Sequence, residues 1–80
     1  MIQSNITISN KLGLHARASA KLTKLAGSFP CEVWMAKGGR RVNAKSIMGV
    51  MMLAAGIGSV VTVETDGPQE QEAMDALLAP

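Results

Sequence analysis

The sequence predicts an α+β domain, a single sheet covered by helices on one face, and three observations carry that prediction. Ile6 and Ile8 alternate with Asn5, Thr7 and Ser9, the period of a strand with one wet face. Gly38-Gly39 separates two strand-like runs and accepts the positive φ of a two-residue hairpin. Segments with apolar residues at helical spacing supply the other main connections, so the order reads β-α-β-β-α-β-α.

The first strand is expected over Ile2 to Ser9, followed by a loop at Asn10-Lys11-Leu12-Gly13. Ala18, Leu22, Leu25 and Ala26 then give a first helix its buried stripe, over Ala16 to Ala26, with Gly27 as the stop signal. Strands two and three cover Cys31 to Lys37 and Arg40 to Ala44. A second helix is expected from Ser46 to Ala55, with Val50, Leu53, Ala54 and Ile57 toward the core. The β-branched run Ser59 to Thr65 makes strand four. Asp66-Gly67-Pro68 opens a last helix, with Glu70 and Glu72 in its first turn and Met74, Leu77 and Leu78 as its buried stripe.

Eighty residues form one domain, 1–80, and a chain of this size buries only about 60% of its unfolded surface, so one core is all it supports. The lone cysteine, Cys31, closes no intrachain disulfide and supplies no zinc site, and a single histidine leaves no metal cluster and no catalytic triad. No cofactor is expected. Met1-Ile2-Gln3-Ser4-Asn5 carries neither a basic n-region nor an apolar h-region, so the cytoplasm is the expected compartment. The uncharged stretch from Ser46 to Val63 is broken by Gly49, Gly56 and Gly58 and reads as helix, turn and strand, with no membrane insertion.

Charge is divided along the chain. All 8 Lys and Arg lie in residues 1–45 with one acid, Glu32, whereas residues 46–80 hold the other five acids and no base. One surface should therefore be positive and attract an anionic ligand or an acidic protein. Nucleic acid is the rival partner, but the basic patch is short and the sheet is expected to lack aromatic stacking platforms.

His15 stands where the loop meets the first helix, where unsatisfied backbone N–H groups converge. The dipole there disfavours imidazolium and favours a negative group placed on the ring, which suits a neutral nucleophilic nitrogen that becomes phosphorylated. Arg17 can donate paired bonds to phosphate oxygens, and Ala20, Lys21 and Lys24 continue its face opposite the buried stripe. An ordinary capping or surface histidine would occupy the same position, so both readings stand on the residues alone. On the second helix Met48, Met51 and Met52 lie opposite the core face with Ile47 at the rim. Either a loop of the chain or a partner covers them, and thioethers that re-pack against several surfaces favour a partner. Ser46 can cap this helix, and a phosphate on it would set negative charge beside the apolar face.

Gly13-Leu14-His15-Ala16-Arg17 and Val42-Asn43-Ala44-Lys45-Ser46-Ile47-Met48-Gly49-Val50-Met51 closely resemble the two signature segments of HPr, the histidine-containing phosphocarriers of the bacterial phosphoenolpyruvate-dependent phosphotransferase system. The resemblance covers nearly the whole chain. It implies an open-faced β-sandwich: a four-stranded antiparallel sheet of order 1-4-2-3 with three helices on one face. It also implies a carrier with a phosphohistidine intermediate rather than a stand-alone enzyme, in which Enzyme I charges Nδ1 of His15, Arg17 stabilises the phosphoryl group, and a IIA domain receives it. By the same resemblance Ser46 is a target of HPr kinase/phosphorylase, and Ala16, Ala20, Lys24, Ile47, Met48 and Met51 are partner-docking positions. A regulatory binding protein controlled through Ser46 is the alternative within the resemblance. A protein that presents one face to successive partners is expected to be a monomer.

Two departures stand out. Many members have proline where this chain has Ala18, a good helix former, so no loss of function is expected. The last helix reaches Leu78-Ala79-Pro80 earlier than is usual for the family, so its final turns are expected to be missing and stability to be lower.

Overall fold

The computed structural model describes residues 1–79. Its elements are β1 (Ile2–Thr7), α1 (Ala16–Gly27), β2 (Glu32–Lys37), β3 (Arg40–Asn43), α2 (Ile47–Met52), β4 (Val60–Asp66) and α3 (Glu70–Leu78). The sheet is antiparallel throughout and ordered β1-β4-β2-β3, with β1 and β3 at the edges. Ile6 faces Val61 across β1 and β4, and Met35 faces Val63 on one side and Val42 on the other. Both glycines of the β2–β3 turn take positive φ, +55° at Gly38 and +83° at Gly39, the mirror-image turn that suits the twist of a hairpin.

Alternation along the strands divides the sheet into a dry and a wet face. Val33, Met35, Val61, Val63 and Thr65 are buried against the helices, joined by Ile8, Val50, Leu53, Ala73 and Met74 in one core. The Thr65 hydroxyl donates to Glu70 O at 3.0 Å, so the one polar member of that strand face is satisfied. On the wet face Arg41 crosses β2, its guanidinium 4.2 Å from the Trp34 ring centroid and 3.0 Å from Glu64 Oε2 on β4. The tryptophan thus does lie on the open face, with Arg41 stacked over it.

Three expectations about burial change. In α1 the centre of the buried face is Ser19, Thr23 and Ala26, while Leu25 is 37% exposed. Ser19 and Thr23 are small enough for close packing, and their hydroxyls donate locally, to Leu14 O and Ala20 O. In α3 Ala73 and Met74 are buried, whereas Leu78 is exposed at the last turn. The expectation about the chain end falls in part on Pro80, outside the described residues.

The third change is in α2, which ends at Met52 instead of Ala55. Ala54 has φ +50°, a left-handed conformation that costs a residue with a Cβ about 1 kcal/mol and stops the helix. The chain then turns so that Ala55 is buried, and Ala54 and Ile57, expected in the core, are exposed, Ile57 by 59%. The uncharged stretch is therefore α2, a turn and β4; no helix among the described residues is long and apolar enough to cross a membrane.

Candidate active centre and its docking face

His15 is the N-cap of α1, with extended backbone (φ −75°, ψ 179°), and its side chain makes no capping hydrogen bond. Its carbonyl accepts the first helical bond, from Ser19 N–H at 2.8 Å, which leaves the N–H groups of Ala16, Arg17 and Ala18 without a helical acceptor. The imidazole is half-buried, while Ala16 and Arg17 are exposed. Arg17 makes no hydrogen bond or ion pair among the described residues. An anion held on the ring would therefore meet free backbone donors, the positive end of a helix of 12 residues and an uncommitted guanidinium.

The loop before His15 is held by two backbone hydrogen bonds and one from a side chain. Gly13 N–H donates to Asn10 O at 3.0 Å, Asn10 Nδ2 returns a bond to Gly13 O at 2.6 Å, and Leu14 N–H donates to Ala55 O at 2.9 Å. Gly13 has φ +65°, and a Cβ there would overlap Ala55 O and lie 2.7 Å from Gly56 Cα. Only glycine fits that approach. The platform Ala54–Gly56 was not legible as part of the site, because its role depends on a contact about forty residues away in sequence; the paired glycines Gly13 and Gly56 were the available signal.

Beside this loop α1 packs against α2, whose outer face carries Ile47, Met48, Met51 and Met52, with Met48 exposed by 70%. Val50 is fully buried on the opposite side. Ala20, Lys21 and Lys24 are exposed on α1. Ser46 is the N-cap of α2: its Oγ accepts from Gly49 N–H at 3.1 Å, and it is exposed. The loop before His15 rests on the turn after α2, so Ser46 and His15 lie toward opposite ends of that helix, whose length is about 9 Å. No group of three or more His, Cys, Asp or Glu side chains that could hold a metal ion occurs among the described residues.

The family described as "PTS HPr component phosphorylation site" matches residues 2–79. The phosphocarrier protein HPr of Cupriavidus necator is 76% identical over 79 residues, 99% of this chain and 89% of that protein. The HPr-like protein Crh of Halalkalibacterium halodurans is 47% identical, over 99% of this chain and 94% of its own. Among solved structures, HPr-C-His from Thermoanaerobacter tengcongensis superposes with a TM-score of 0.93 at 44% identity, covering 96% of this chain and 86% of that one. An HPr dimer from the same organism superposes at 0.76, with 44% identity and coverage of 96% and 88%.

An open-faced sandwich with one histidine at an open helix end, in this company, defines a small phosphocarrier of the phosphotransferase system. The chain belongs to the HPr family.

Proposed function

We propose that His15 is the phosphoryl carrier: Nδ1 attacks the phosphorus of phosphorylated Enzyme I and the donor leaves with its bonding electron pair, and in a second displacement a nucleophile of a IIA domain attacks the same phosphorus while Nδ1 leaves with the pair of the broken P–N bond. The observation that carries this is the His15 imidazole at the N-cap of α1 with no capping bond of its own, above three N–H groups that lack helical acceptors. Arg17 spreads the charge of the moving phosphoryl group, and transfer needs little beyond this positioning.

Ala16, Ala20 and Lys24 on α1 and Ile47, Met48 and Met51 on α2 form the docking face, a basic strip beside an apolar one, suited to acidic partners with apolar centres. Phosphorylation of Ser46 by HPr kinase/phosphorylase would add a near-dianion beside Ile47 and Met48 and oppose such partners. A second role, regulatory binding through Ser46, is supported by the exposure of that hydroxyl and by the likeness to Crh. The stacking of Arg41 over Trp34 takes up the one aromatic face on the sheet and argues against nucleic acid. The single domain, 1–80, works as a cytoplasmic monomer without cofactor.

The test is incubation with phosphoenolpyruvate and Enzyme I. One acid-labile phosphoryl group forms and is discharged on addition of a IIA domain; a chain that stays unphosphorylated, or that carries an acid-stable group, refutes the reading. Sedimentation of both forms checks the monomer.

A further inference from the structure

The last turn of α2 contains no basic residue, yet the carbonyls at its end and in the turn that follows are met by two cations from the β2–β3 hairpin. Arg40 Nη1 donates to Met52 O at 2.8 Å, and Lys37 Nζ lies 3.5 Å from both Leu53 O and Ala54 O. These two residues face each other directly across the β2–β3 hairpin. Like charges at opposed positions repel. Both are here drawn to the negative end of one helix, which accounts for a pairing otherwise unfavourable.

The carbonyls they hold lead straight into the active-centre platform. Ala54 is in the left-handed region and stays there only if its surroundings over-determine it. The next residue, Ala55, supplies the carbonyl that receives Leu14 N–H, one residue before His15. We infer that Lys37 and Arg40 are positioning residues for phosphoryl transfer: by clamping the carbonyls of Met52, Leu53 and Ala54 they fix the platform on which the His15 loop rests. The hairpin thus acts on the histidine through backbone, without touching the phosphoryl group. This rests on the phosphocarrier reading of His15.

The experiment compares the wild type with a Lys37→Met/Arg40→Met double variant and with Arg40→Lys. In the unphosphorylated protein, hydrogen exchange at the Leu14 amide should quicken about tenfold in the double variant, as one clamped segment opens locally, while Val63 in the sheet keeps its protection. In transfer from phosphorylated Enzyme I, kcat should fall about five- to tenfold with KM changed less than about twofold, because orientation is lost and attraction is not. Arg40→Lys, which keeps a cationic donor, should recover most of both. Unchanged exchange at Leu14 overturns the inference, and so does a loss confined to KM that disappears at high salt, which would make the pair a steering charge. If the wild type accepts no phosphoryl group, the carrier reading and the pair's part in transfer fall together, and the Leu14 exchange still decides whether the clamp holds the loop.

Discussion

The N-termini of α1 and α2 are built to opposite ends. At α2 the cap residue closes part of the helix start itself: Ser46 Oγ accepts from Gly49 N–H, one of the first-turn donors. At α1 the cap residue is His15, which gives its side chain to nothing and leaves the first-turn donors open. A closed end adds stability, and an open one holds binding capacity in reserve for an anion. The two helices pack against each other, so one small domain holds a start that its own side chain caps and a start that it leaves open.

The largest effect should come from the open end. His15→Ala should abolish phosphoryl acceptance from Enzyme I, yet change stability in thermal melts by less than about 0.5 kcal/mol, since no capping bond is lost. A large loss of stability would mean the histidine is a structural cap after all. Gly13→Ala sharpens the contrast from beneath the loop: at φ +65° and against Ala55 and Gly56, the new methyl should cost about 2–3 kcal/mol in urea denaturation and displace His15, slowing transfer. At the closed end the pattern inverts. Ser46→Ala should lower stability by about 1 kcal/mol with transfer unchanged, whereas Ser46→Asp keeps an acceptor oxygen but slows transfer by opposing docking. Equal rates for wild type and Ser46→Asp would remove the proposed brake.

The start of α3 offers a third arrangement and the smallest effect. Glu70 is held below the usual carboxylate range, first by the hydrogen bond from Gly67 N–H and then by the Met1 ammonium, which lies 3.2 Å from Glu70 Oε2. Chiefly through its bond to Glu70, the Met1 amine is raised above 8.0. A lowered carboxyl stabilises above its unfolded value and loses that as pH falls through the folded one; a raised amine stabilises below its unfolded value and loses that as pH rises. The contribution should therefore be flat between pH 4.5 and 8.0 and decline on both sides, a small, salt-sensitive change in Tm that Glu70→Gln removes on the acid side.

These regions also show which parts of the molecule a sequence exposes. Strand alternation, the Gly38-Gly39 turn and the two cap residues are local signals, and the elements formed in the expected order, with β1 ending at Thr7 and α2 at Met52, short of their expected ends. The buried face of α1 was misplaced toward Leu25 because hydrophobicity alone ranks leucine above serine, whereas close packing selected Ser19 and Thr23 with their hydroxyls bonded to nearby carbonyls. The early end of α2 was hidden because alanine in the left-handed region has no signature, and the groups that meet this turn, Arg40, Lys37 and the Gly13 loop, are distant in sequence. His15 and Arg17 stood out in the sequence as candidates at a helix start, while the platform beneath them did not, since it joins residues distant in sequence.

The central claim is that the open end of α1 receives the phosphoryl group and the capped end of α2 does not take part in holding it. Nitrogen-15 and phosphorus-31 spectra recorded before and after charging by Enzyme I test it most directly. Phosphorus should couple to Nδ1 of His15, with the Ala16 and Arg17 amide protons moving downfield as they bond phosphoryl oxygens and the Gly49 amide left in place. Coupling to Nε2, or Ala16 and Arg17 amides that do not move, would contradict it.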